Sequence, residues 1–156
     1  MTEEVGREFR SPPAIHVGCG ALGKIRDVLH ELGSSRAALI TDNVMGSSSW
    51  IGRIVDMATE SDVSITVHDE LVGEPTTNDV EAAVTVLRKA DANVVIGFGG
   101  GSALDTAKTA AVLHTNTGQL ADFEGYERVP EPATPVIAIP TTSGTGSEGT
   151  RGAAIT

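Results

Sequence analysis

Cysteine is almost missing from these 156 residues: Cys19 is the only one, so neither an intrachain disulfide nor a cysteine-based zinc site is possible. A reducing, cytoplasmic setting is the expectation that follows. Aromatic side chains are scarce at 3%, while 40% of residues are apolar. A core built from Val, Ile, Leu and Ala, in one α/β domain, suits that balance. Lysine is scarce too, with Lys24, Lys89 and Lys108 beside eight arginines, and the formal net charge is −10. Such a chain is not expected to seek nucleic acid or an anionic membrane surface. An acidic, lysine-poor surface suits a salt-rich cytoplasm or an ordinary acidic exterior, and composition does not choose between them. No apolar run approaches the roughly 20 residues of a membrane span. The opening Met1-Thr-Glu-Glu-Val-Gly-Arg-Glu8 is charged and has no apolar centre, so it does not read as a signal peptide.

What is present is an alternation of short strands and helices, the mark of parallel βαβ units. Five cycles are predicted. Ala14 to Val17, after Pro12-Pro13, reads as a strand, followed by a helix with Ile25, Val28, Leu29 and Leu32 on one face and Gly33 at its end. Ala37 to Thr41 and Ser64 to Val67 are strands, with a helix from Ser48 to about Glu60 between them. A helix from about Asn78 to Ala90, capped by Asn78, buries Val80, Val84 and Leu87. Val94 to Ile96 reads as a strand covered on both faces, and Val136 to Ile139 as a later one beyond a polar loop from Thr115 to Pro135. Ala153 to Thr156 reads as a strand cut short.

The richest stretch is Asn93 to Lys108, where the buried strand runs into Gly99, Gly100 and Gly101 and then a helix with Leu104, Ala107 and Ala111 toward the sheet. Glycines let a ligand approach the backbone, and a helix N-terminus attracts anions. Ser102 is the expected N-cap, with Asp105 as its capping acid three residues on. Gly18-Cys-Gly-Ala-Leu-Gly23 competes as a literal GxGxxG, with Asp42 about where a ribose-binding acid belongs. The spacing also fits a plain tight turn. A third candidate is the run from Thr141 to Thr150, whose hydroxyls at Thr141, Thr142, Thr145, Ser147 and Thr150 are suited to ribose or phosphate oxygens, or to a solvated turn.

Together, Gly99-Gly-Gly-Ser-Ala-Leu-Asp-Thr-Ala-Lys108 and Pro140-Thr-Thr-Ser-Gly-Thr-Gly-Ser-Glu148 resemble the iron-containing (group III) alcohol dehydrogenase family. The resemblance extends to Gly18-Cys-Gly-Ala-Leu22, Leu39-Ile-Thr-Asp42 and Glu74-Pro-Thr76, and so covers nearly the whole chain. It implies that residues 1–156 form an NAD-binding domain: a Rossmann-like parallel sheet with helices on both faces, as in dehydroquinate synthase-like N-terminal domains. Gly100, Gly101 and Ser102 would hold the pyrophosphate, with Asp105 beside the nicotinamide. Thr141, Thr142, Thr145 and Thr150 would contact adenine and ribose groups. Asp42 would face the adenosine ribose, where a carboxylate repels a 2′-phosphate and favours NAD over NADP.

The resemblance further implies an all-helical domain following Thr156, whose Asp and His ligands hold Fe2+ or Zn2+, and a small alcohol or aldehyde as substrate, with dimers common. His16, His30, His68 and His114 have no ligand-pair spacing and read as surface or packing residues, and Asp122, Glu124 and Glu127 as a solvated acidic patch. Two positions depart from family patterns: Glu74 stands where Asn is common, and Ser102 where glycerol-type members often carry lysine. A metal-independent reductase of the maleylacetate type and a non-catalytic nucleotide-binding module are the alternatives.

Overall fold

The computed structural model describes residues 14–125 and 127–156; the charged opening and the Pro12-Pro13 pair lie outside them. In chain order the elements are α1 (Ile25–Glu31), β1 (Arg36–Asp42), α2 (Asn43–Gly46), α3 (Ser49–Thr59), β2 (Ser64–Leu71), α4 (Thr77–Lys89), β3 (Val94–Gly99), α5 (Gly101–Thr115) and β4 (Val136–Pro140). The four strands are parallel and lie in the order β2-β1-β3-β4. The chain therefore leaves β1 toward one edge and returns at β3 to build toward the other. Such a reversal opens a crevice at the carboxyl ends of the two strands, where ligands of open α/β sheets bind.

The central strands β1 and β3 have two apolar faces because helices cover both sides of the sheet. Ala38, Ile40 and Val95 share a core with α4 and α5, and the alternate residues Ala37, Leu39, Val94, Ile96 and Phe98 share one with α1 and α3. Every residue of β3 is buried, as its continuous apolar run predicts. In α4, Val80, Ala83, Val84 and Leu87 recur at helical spacing and form its single buried face. By contrast α5 is buried nearly all round, through Ala103, Leu104, Ala107, Ala110, Ala111 and Leu113. Its alanines allow a short distance to β3: a methyl group at Gly97 would sit 2.9 Å from the Ala107 Cβ.

The structure departs from the sequence expectations in several places. Residues 14–17 form no strand and are exposed, so the described residues contain four strands instead of five. Val17 is 89% exposed and Ile15 59%, so among the described residues nothing buries the run that its apolar residues suggested. Residues 153–156 also form no strand, although Thr156 N–H donates to the Pro75 carbonyl (2.9 Å) and Thr77 N–H to the Thr156 carbonyl (3.1 Å). Edge strand β2 continues to Leu71, beyond the expected Val67. Leu32 is exposed, because α1 ends at Glu31 and only Ile25 and Leu29 reach the core.

The cap of α4 is Thr76, not Asn78. Thr76 Oγ1 accepts from Asp79 N–H at 3.3 Å, and Asp79 Oδ2 accepts from Thr76 N–H at 2.8 Å, a reciprocal capping box that begins the helix at Thr77. The hydrogen bonds from the Thr76 hydroxyl and amide hold the Asp79 carboxyl below the ordinary aspartate range. A carboxylate depressed in the folded state stabilises above its unfolded pKa, and that contribution is lost as pH falls through the lower folded value. Thr76→Ala should therefore cost about 1 kcal/mol in urea unfolding at neutral pH, with a smaller cost below the carboxylate range, whereas Asn78→Ala should change stability little.

Candidate functional site

The carboxyl ends of β1, β3 and β4 meet at the crevice. Thr41 Oγ1 donates to the Phe98 carbonyl at 2.6 Å and ties β1 to β3, and Thr141 N–H donates to the Gly99 carbonyl at 2.8 Å, bringing the Thr/Ser/Gly loop after β4 alongside. Three sequence-distant candidates are thus brought together: Asp42, Gly99 to Ser102, and Thr141 to Thr145.

The cap of α5 is Gly100, in an extended conformation and without any side-chain hydrogen bond. This corrects the expectation for Ser102, which lies inside the first turn, and for Asp105, which is too far along the helix to cap it. With no side chain capping the first turn and no acidic residue in it, the amide N–H groups there are suited to an external anion. The glycines set the room. Gly99 has φ +147°, where side chains are rarely found, and a Cβ there would lie 2.9 Å from the Ala103 Cβ and 3.1 Å from Asp42 Oδ2. A Cβ on Gly101 would lie 3.2 Å from Thr145 Cγ2 and 3.4 Å from Ser147 Oγ. One on Gly100 would meet Thr142 at 3.5 Å.

Asp42 divides its carboxylate between two roles. Its Oδ1 accepts from Val44 N–H (3.0 Å) and Met45 N–H (2.8 Å), capping α2, and its Oδ2 faces Gly99. The cap fixes the rotamer, so the second oxygen is held beside Gly99. Thr141, Thr142, Thr145 and Thr150 are exposed around the loop, while Ser147 is buried beneath it. Left-handed Gly144 (φ +102°) and Gly146 (φ +67°) make the loop's reversals.

Asp105 is buried against the loop's far end. Its Oδ1 lies 2.9 Å from Lys108 Nζ, an ion pair rather than an aligned hydrogen bond, and its Oδ2 accepts from Ala154 N–H at 3.1 Å. Sequence reasoning does not single out Lys108 as a site residue; the signal available is an Asp and a Lys at i,i+3 in a helix otherwise apolar and small.

Gly18 to Gly20 turn into a 3-10 helix (Ala21–Lys24) that leads into α1, with Ala21 N–H donating to the Gly18 carbonyl (3.0 Å) and Gly23 N–H to the Gly20 carbonyl (2.9 Å). No strand precedes it among the described residues, so it has the tight-turn geometry and lacks the strand-to-helix geometry of a dinucleotide cradle. The histidines are not brought together. His16 and His30 are exposed, His68 is buried in β2, and His114 Nδ1 is hydrogen-bonded to Thr134 Oγ1 at 2.8 Å. Burial, with the nearby Arg88 cation, pushes the His114 pKa below its ordinary value. Asp122 accepts from Gln119 N–H at 2.8 Å. Among the described residues no three His, Cys, Asp or Glu side chains are placed to share a metal ion, and no helix is long and apolar enough to cross a membrane.

Gly99→Ala should lower stability by about 1–3 kcal/mol, since its methyl group meets α5 and the Asp42 carboxylate in a backbone region that disfavours it. Urea unfolding measures this, and Gly23→Ala, where nothing lies within 4 Å of the added atom, should be far milder.

Known proteins are similar to this chain in sequence and in fold. The family described as iron-containing alcohol dehydrogenase matches residues 12–156. Alcohol dehydrogenase 4 of Saccharomyces cerevisiae is 36% identical over 143 residues, 92% of this chain and 37% of the yeast protein. An NAD-dependent methanol dehydrogenase of Bacillus methanolicus is 32% identical over 148 residues, 95% of this chain and 39% of that protein. Among solved structures, 1,3-propanediol oxidoreductase superposes with a TM-score of 0.87 at 26% identity, covering 93% of this chain and 38% of that one. Sulfoacetaldehyde reductase from Bifidobacterium kashiwanohense, in complex with NAD+, gives 0.81 at 31%, covering 92% and 38%. The chain thus spans less than two fifths of the length of these proteins.

Proposed function

Since the chain belongs to the iron-containing alcohol dehydrogenase family, we propose that residues 1–156 are the NAD(H)-binding part of an oxidoreductase acting on a small alcohol or aldehyde. The observation that carries this reading is the uncapped start of α5 at the sheet's switch point, where a Cβ on Gly99 would strike both α5 and Asp42. NAD(H) bound there supplies the hydride acceptor or donor.

The chain's own residues bind and orient. Backbone N–H groups at Gly100 and Gly101, with the Ser102 hydroxyl, hold the pyrophosphate at the positive end of α5. Asp42 Oδ2 accepts from the adenosine ribose hydroxyls and repels a 2′-phosphate, so NAD(H) is preferred to NADP(H). Thr141, Thr142 and Thr145 line the adenosine side, where Gly144 and Gly146 keep the wall thin, while the Thr150 hydroxyl is held by Lys108 beside Asp105. Asp105 serves the nicotinamide end by fastening the segment around Ala154.

The described residues do not fit a metal centre, and no step here passes through one. In our reading Fe2+ or Zn2+ belongs to the all-helical second domain expected of the full-length protein, and the substrate binds between the two domains. Residues 1–156 alone would then bind cofactor without turning over alcohol. A cytoplasmic enzyme, dimeric at full length, fits the lone exposed Cys19 and the family's habits.

Fluorescence titration of the 156-residue chain with NADH and NADPH tests the reading. NADH should bind saturably and at least about tenfold more tightly than NADPH, a gap of about 1.4 kcal/mol. Asp42→Asn, which keeps an oxygen for the α2 cap, should narrow that gap. Absence of saturable binding for either nucleotide overturns the reading.

A further inference from the structure

We propose that Lys108 is a positioning residue that locks the segment from Ser147 to Ala154 onto α5 and thereby seats Thr142 and Thr145 over Gly100 and Gly101. The consequence for cofactor binding rests on the reading of this cleft as the NAD(H) site.

Lys108 Nζ donates to the Ser147 carbonyl (2.9 Å), the Thr150 hydroxyl (3.2 Å) and the Gly152 carbonyl (2.5 Å), and lies 2.9 Å from Asp105 Oδ1. An ammonium has three N–H donors, so these oxygens saturate it. The two charged side chains are only 14% and 12% exposed. A buried charge is tolerated when paired and fully hydrogen-bonded, and becomes strongly unfavourable when its partner is removed. Asp105 extends the lock through Ala154 N–H, at 3.1 Å. One turn of α5 therefore holds residues 147, 150, 152 and 154.

The loop's other end is pinned by Thr141 N–H on the Gly99 carbonyl, at 2.8 Å. Between the pins, residues 142–146 are exposed and contain the two left-handed glycines. Their position over the α5 N-terminus, with Thr145 Cγ2 3.2 Å from where a Gly101 Cβ would be, is thus set largely by the two ends. Lysine is the side chain suited to this position, because its compact charge with three rotatable donors meets oxygens converging from three sides, which the planar fork of arginine does not.

Hydrogen exchange on the full 156-residue chain, without cofactor, reads the lock directly. In Lys108→Met the Gly149 and Ala154 amides should exchange at least about tenfold faster, with β1 and β3 keeping wild-type protection. The NADH dissociation constant should rise about tenfold in the same variant. Lys108→Cys in a Cys19→Ser background, aminoethylated to restore an ammonium at that reach, should recover both. Unchanged loop exchange, or faster exchange spread evenly over the sheet, overturns the proposal. Should Lys108→Met fail to fold, Thr150→Val removes one oxygen only, and a smaller acceleration confined to the same amides is expected; none, or a uniform one, overturns it. Failure of the wild-type chain to bind NADH would refute the cofactor reading, while the exchange pattern would still decide the lock.

Discussion

The close approach of α5 to β3 is the constraint from which the rest of the site follows. At Gly97 a methyl group would lie 2.9 Å from the Ala107 Cβ, and at Gly99 it would lie 2.9 Å from the Ala103 Cβ. Protein interiors are packed densely enough that neither contact relaxes cheaply. With the helix this near the strand, the chain must turn within Gly99 and Gly100, and the first N–H groups of α5 emerge directly above the end of β3. Burial of α5 on nearly all sides then fixes its axis, so the donors stay aimed at the crevice whether or not a ligand is there.

Charged side chains stabilise the loops around that rigid centre. Asp42 caps α2 with one oxygen and leaves the other toward Gly99. Asp105 and Lys108 join the segment after the Thr/Ser loop to α5. In each case a polar group that would be costly to bury finds partners in backbone groups of an otherwise unsupported turn, so satisfying the charge and placing the loop are one interaction.

Much of this was legible in the sequence, for reasons that differ from element to element. The Val94 to Ile96 run and the Val80, Val84, Leu87 spacing carry strong periodicity, and both elements lie where that periodicity puts them. The close strand-to-helix turn at Gly99 to Gly101 was legible as well, because adjacent glycines after a buried strand mark a place where backbone and neighbours approach closely. Caps were not: Thr76, Asn78 and Ser102 are all good capping residues, and the choice depends on which backbone turn the tertiary structure permits. Residues 14–17 have strand composition but pair with no strand among the described residues. Lys108 was hidden because its partners, Ser147, Thr150 and Gly152, lie some forty residues away and two of the contacts are to backbone carbonyls, which no side-chain pattern announces.

Backbone amide resonances of the isotopically labelled chain, followed during titration with NADH, would read the cradle residue by residue. The largest shifts should fall on the amides from Gly100 to Ala103, with smaller ones on Thr141 to Thr145. Shifts centred on Gly18 to Gly23 instead, with the α5 N-terminus unmoved, would contradict the placement of the pyrophosphate over α5.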